Sequence, residues 1–161
     1  MTQHQFHLAQ LNIATIRASL SDPQMADFVA QLQTINAIAE TSSGFIWRLQ
    51  DDHQGDATHI QAYDDPRILI NLTIWESVET LSNYVYRSQH GIAMRDRRKW
   101  FEKSDQPTLV LWWIPVGHIP TIAEAKERLA YLHQYGETPY AFSFKRSFPP
   151  TRLAESNEAS R

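Results

Sequence analysis

Ile68-Leu69-Ile70-Asn71-Leu72-Thr73-Ile74-Trp75, followed at once by Glu76-Ser77-Val78-Glu79-Thr80-Leu81-Ser82-Asn83-Tyr84-Val85-Tyr86-Arg87-Ser88-Gln89-His90, is the stretch from which the fold is read. Its first eight residues form an apolar, β-branched run with an aromatic end, the pattern of a strand buried for most of its length. Ser77 offers a capping oxygen, and Val78, Leu81, Tyr84 and Val85 then recur at helical steps as an inward face. Gly91 weakens any continuation before the basic, aromatic segment Met94-Arg95-Asp96-Arg97-Arg98-Lys99-Trp100-Phe101.

Working outward, the same strand-then-helix order appears on both sides. Phe6 to Ile13 reads as a strand, and Ser21-Asp22-Pro23 is a helix start with a cap and a proline suited to the first turn. Met25, Phe28, Val29, Leu32, Ile35 and Ala39 give that helix one apolar face, and Phe45 to Leu49 follows Gly44 as a second strand. Gln50 to Pro66 is polar and reads as a long hairpin connection or mobile loop. Thr108 to Pro115 is a fourth strand. Thr121-Ile122-Ala123-Glu124 is a capping box that opens a third helix, which runs to about Tyr135 before Gly136. Tyr140 to Phe144 alternates as a last strand, and the polar Pro149–Arg161 reads as a tail. The expectation is one α+β domain over residues 1–148 and a tail over 149–161. The domain is a ferredoxin-like sandwich with an extra C-terminal helix and strand. Its second sheet face needs a cover, either another protomer or the third helix, and a homodimer is the expectation.

Composition removes several function classes. A chain of 161 residues without cysteine has no disulfide, thiolate zinc site, iron–sulfur cluster or cysteine nucleophile. Its formal charge of −3 gives no general attraction for nucleic acid. No apolar run reaches the roughly 20 residues that span a bilayer, and no basic-then-apolar leader is present. A soluble cytoplasmic protein is expected, without nucleic-acid or membrane partners. No phosphate-binding glycine loop, GxSxG elbow or HExxH motif occurs.

The strand ending in Trp75-Glu76-Ser77, within this element order, resembles the dimeric α+β barrel superfamily, which includes antibiotic-biosynthesis monooxygenases and haem-degrading monooxygenases. From His7 to Pro149 the chain looks like an uncharacterised bacterial domain-of-unknown-function family of that superfamily. The likeness is carried by His7-Leu8-Ala9-Gln10-Leu11-Asn12-Ile13, Gly44-Phe45-Ile46-Trp47-Arg48-Leu49, Tyr84-Val85-Tyr86-Arg87-Ser88, Leu111-Trp112-Trp113-Ile114-Pro115 and Gly117-His118-Ile119-Pro120-Thr121. The segment from Ile74 through His90 to Phe101 is also similar to the haem-binding helix of spheroidene monooxygenase-like enzymes, which implies haem with His90 as the metal ligand. The ligand position of the haem-degrading members falls on Met94 here, so it does not transfer.

Under the haem reading Arg87, Arg95 and Arg98 meet the propionates, and Trp100 and Trp113 are among the walls. The plainer reading makes His90 a surface residue and the basic run a solvated helix face. Asn12, Asn71 and Gln10 are amides on apolar strands and candidates for lining a polar pocket, with Trp75 and His118 beside them. Core hydrogen bonding is the alternative for each. Asp51, Asp52, His53, Asp56 and His59 lack a rigid metal-ligand spacing and read as a solvated loop. Three functions follow as expectations: a haem-binding, monooxygenase-like protein acting on a small hydrophobic or aromatic molecule; a cofactor-independent monooxygenase; and a non-catalytic dimer that binds a small ligand.

Overall fold

The computed structural model describes residues 5–51, 55–88 and 97–150. Strand β1 spans Phe6–Thr15, and a single 3-10 turn at Pro23–Met25 leads into α1, Ala26–Glu40. Then come β2 (Phe45–Arg48), β3 (Ile68–Trp75), α2 (Val78–Ser88), the short α3 (Arg97–Trp100), β4 (Leu109–Pro115) and α4 (Ile122–Tyr135). The four strands form one sheet in the order β2-β3-β1-β4, with every neighbouring pair antiparallel. This is the ferredoxin-like α+β arrangement expected, with α4 added.

Local chemistry explains the boundaries. The Asp22 carboxylate accepts the Gln24 N–H at 2.8 Å, with Pro23 in the first turn. Ser77 caps α2 by accepting the Thr80 N–H at 3.1 Å, and Thr121 caps α4 by accepting the Glu124 N–H at 3.0 Å. Gly44, between α1 and β2, has φ +85°, and a Cβ there would lie 2.4 Å from the Thr80 side chain. Only glycine lets the chain turn that close to α2 while its carbonyl accepts the Glu76 N–H at 2.8 Å.

Strand alternation divides the sheet's residues between two layers. Ala9 and Leu11 of β1, Ile70, Leu72 and Ile74 of β3, and Val110, Trp112 and Ile114 of β4 face one way. They are buried under Ala125, Leu129 and Leu132 of α4. The second face is therefore covered by the third long helix of this chain, not by another protomer, which corrects the expectation of how that face is closed. The segment between the antiparallel neighbours β2 and β3 is the long hairpin connection expected, and it is packed down on the sheet. Ala57, Ile60, Ala62 and Tyr63 pack on this same core. Lys126 of α4 donates to the Ala62 carbonyl at 2.6 Å and sits 4.5 Å from the centre of the Tyr63 ring.

The last expected strand is not a strand. Leu111 and Phe142 form one isolated bridge along the edge of β4, and turns close at Thr138–Ala141 and Ser143–Arg146. The Glu137 carboxylate accepts from Ser143 N at 2.6 Å and Ser143 Oγ at 2.9 Å, curling the segment before a ladder can extend.

Candidate functional site

The face of the sheet opposite α4 is built differently. At one end Leu8, Trp75, Leu111, Trp113 and Phe142 form an apolar cluster with Leu81 of α2 and Ala39 of α1. At the other end Ile16, Leu69 and Trp100 pack with Met25 and Phe28 at the start of α1. Between the clusters the facing residues are Gln10 and Asn12 of β1, paired in register with Thr73 and Asn71 of β3.

This polar strip is tied together. Gln10 Nε2 donates to Thr73 Oγ1 at 2.8 Å and Asn71 Oδ1 at 3.1 Å, and Trp75 Nε1 donates to Thr73 Oγ1 at 2.8 Å. Trp75 is itself fully buried, stacked on Tyr84 of α2 at 5.0 Å and edge-on to Phe45 at 5.4 Å. Its indole thus supports the strip from beneath one end. Gln10 and Thr73 are buried, Asn12 is half-buried, and Asn71 is exposed.

Asn71 is the decisive residue. It lies on β3, an interior strand, on the face that carries α1 and α2. A side chain there reaches solvent only if the helices stand off the sheet and leave a recess. Solvent therefore reaches the amide strip between the sheet and the helices, and Ile35 and Ile38 of α1 are only half-buried and join none of the buried clusters described. Because Asn71 Oδ1 accepts from Gln10, the Asn71 Nδ2 hydrogens remain to meet an acceptor. The described floor residues, Gln10, Asn12, Asn71 and Thr73, are all uncharged.

The structure brings Asn12, Asn71 and Trp75 of the expected pocket together. It places His118 elsewhere, in the turn between β4 and α4, where His118 Nε2 lies 2.7 Å from Glu124 Oε1 and Trp112 Nε1 donates to Glu124 Oε2 at 3.0 Å. A shallow cleft of about 300 Å³ lies there, lined by Trp113, Ile114, Pro115, His118, Glu124 and Arg128. Arg128 is buried, donates to the Tyr140 carbonyl at 2.8 Å and lies 3.7 Å from the centre of that residue's ring. Burial holds its pKa below the usual arginine value. Tyr140 donates to Glu127 through a short hydrogen bond. Burial, reinforced by that bond, pushes the Tyr140 hydroxyl up to about 12.

The residues expected to hold haem do not converge among the described ones. Trp100 and Trp113 lie in the two opposite clusters, Trp100 against Phe28 at 5.5 Å and Trp113 donating its indole N–H to the Phe148 carbonyl at 2.7 Å. Arg87 reaches Ser42 Oγ at 3.2 Å, and Arg98 is exposed, its carbonyl accepting from Arg17 Nε at 2.7 Å. His90 and Arg95 lie outside the described residues. Of the described histidines, His7 alternates onto the α4 layer and His59 is exposed on the loop packed there. His118 pairs with Glu124, and His133 lies 2.6 Å from the Pro107 carbonyl. The haem expectation rests on His90, which these residues do not include. No group of three or more histidine, aspartate or glutamate side chains placed to hold a metal occurs among the described residues.

One residue of the polar strip escaped the sequence reading. Thr73 shares the face of Asn71 at a two-residue step, and that alternation would have disclosed it.

A comparison with known families matches residues 7–158 to the family described as Domain of unknown function (DUF3291). The chain belongs to DUF3291. Among solved structures this DUF3291 chain is similar to the NE2512 protein of unknown function from Nitrosomonas europaea, at 10% identity with a TM-score of 0.42, covering 73% of this chain and 96% of the other. It also shows a distant likeness to a putative antibiotic biosynthesis monooxygenase from Bacillus cereus, at 13% identity and a TM-score of 0.25, with the same two coverages of 73% and 96%. No curated protein matches the DUF3291 chain. Among its described residues no helix is long and apolar enough to cross a membrane.

Proposed function

We propose that this DUF3291 protein binds a small, largely apolar molecule in the recess between α1, α2 and the sheet, and that the molecule carries an oxygen acceptor for the Asn71 amide. One observation carries the reading. Asn71 is exposed on the helix-facing side of an interior strand, while Gln10 holds its amide in one orientation. A pocket with apolar walls and a few fixed polar groups is the usual form of a small-molecule site. The uncharged floor orients a ligand and supplies no acid or base of its own. Chemistry there would be monooxygenase-like and cofactor-independent, with the ligand itself giving electrons to dioxygen.

The test uses the whole chain, 1-tetralone as a flat carbonyl probe, and 1,4-naphthohydroquinone for oxygen uptake. Binding of 1-tetralone that weakens at least about tenfold in Asn71→Leu, equal to the loss of about 1.4 kcal/mol expected for a buried hydrogen bond, supports the site. Oxygen uptake above the uncatalysed rate, lost in the same variant, extends it to catalysis. Tetralone binding indifferent to Asn71→Leu, or none in the wild-type protein, overturns the reading. Added hemin giving a Soret band that disappears in His90→Ala would replace it with the haem-binding one.

A further inference from the structure

Asn12 and Asn71 are direct cross-strand partners on β1 and β3, so their side chains leave the sheet on one face. The Cβ atoms of such a pair stand about 5 Å apart. Asn71 is committed, because its Oδ1 accepts from Gln10 Nε2 at 3.1 Å. Asn12 is not. Among the described residues its carboxamide makes no hydrogen bond, and solvent touches both its oxygen and its nitrogen. At that spacing the two amides could bond to each other, yet they do not. The other cross-strand partner of Asn12 is Leu109 of β4, whose side chain offers no polar group. The middle of the strip therefore holds two neighbouring amides open to solvent, one fixed as a donor and one with its oxygen unclaimed.

We propose that Asn12 Oδ1 accepts an N–H of the bound molecule while Asn71 Nδ2 donates to its carbonyl, so that the ligand is a lactam or other cyclic amide on a mostly apolar body. This rests on the recess being the binding site, and it adds the ligand's class. Two open amides on adjacent strands match a group whose N–H and C=O lie side by side on one edge. A ring holds an amide in that arrangement, whereas an open-chain amide is trans and turns the two groups to opposite sides. An ortho-hydroxyketone spends its hydroxyl on its own carbonyl, and an ionised carboxylic acid has no proton to give. A ketone of the same shape would set a CH2 against Asn12 Oδ1 and strip its water without replacing the hydrogen bond. A site built to pair a polar group rejects the analogue lacking it far more strongly than a purely apolar pocket could.

Calorimetric titration of the intact chain with 1-tetralone and 3,4-dihydroisoquinolin-1-one tests this, since the lactam differs from the ketone only in an N–H in place of the CH2 beside the carbonyl. The lactam should bind about tenfold more tightly. Its N-methyl derivative should lose that advantage. Asn12→Leu should erase the preference, leave 1-tetralone affinity unchanged and not lower the melting midpoint, because Asn12 has no hydrogen bond within the fold to lose. Asn12→Asp, which keeps an acceptor oxygen, should retain the preference, whereas Asn71→Leu should weaken both compounds. Equal affinities in the wild-type protein, or a preference that survives Asn12→Leu, would overturn the assignment. If 1-tetralone binds through Asn71 without any preference for the lactam, only the role of Asn12 falls. If neither compound binds, the recess is not the site and the assignment falls with it.

Discussion

The two faces of this sheet are made from alternate residues of the same strands, yet they are built for different ends. Toward α4 the middle of the face, Ala9 and Leu11 of β1, Ile70, Leu72 and Ile74 of β3, and Val110, Trp112 and Ile114 of β4, is apolar and buried, and the helix seals it. Toward α1 and α2 the same strands place apolar clusters at the ends and amides in the middle, where Asn71 stays exposed. One face is closed over by its helix; the other leaves an amide of an interior strand uncovered. The contrast shows that a two-residue period can separate scaffold from site within one strand, since neighbouring side chains never share a face.

The contrast can be broken most forcefully on the sealed side. Leu129→Ala opens a cavity between α4 and the sheet and should cost about 2–5 kcal/mol in denaturant unfolding. It should also expose apolar surface that drives self-association visible by size exclusion. A cost near zero would mean that α4 is not the cover on which the core depends. A smaller effect is expected from Thr73→Val on the recess side, which keeps the shape but removes the oxygen that accepts from both Gln10 and Trp75. The expected loss is about 1–3 kcal/mol, together with weaker tetralone binding. Unchanged binding would show that the floor need not be held in place.

The smallest effect sharpens the comparison through pH. Tyr140 sits in the α4-side core, and its hydroxyl is held up at about 12 instead of the ordinary 10. Folding therefore favours the neutral phenol. Its contribution is complete below the unfolded value and is lost as pH rises through the folded one. Unfolding midpoints should fall more steeply between those two values in the wild type than in Tyr140→Phe. Equal slopes would remove Tyr140 from the α4-side account.

Much of the architecture is legible in the chain. Ile68–Trp75, Ser77 and Thr121 declare a strand and two caps by residue type alone, and the structure places them so. The cover of the second face was not legible, because an apolar strand face states that it needs a partner without naming which. The curl after Pro139 was hidden too, since alternation at Tyr140–Phe144 resembles a strand until the Glu137 carboxylate captures Ser143. For the site, Asn12 and Asn71 stand out as amides in apolar runs. That Gln10 and Asn12 stand directly beside Thr73 and Asn71, while His118 lies in another layer, depends on strand register and on where β4 ends, which only the folded chain fixes.

The central claim is that the face bearing Asn71, not the face under α4, receives a small molecule. Amide and indole NMR spectra of the isotope-labelled chain, recorded while 1-tetralone is added, test it in one experiment. Saturable shifts of the Asn71 and Gln10 side-chain amides and of the Trp75 indole, with the Trp112 indole unmoved, are the predicted result. Shifts concentrated at Trp112 and His118, or none at Asn71 at saturating probe, would contradict it.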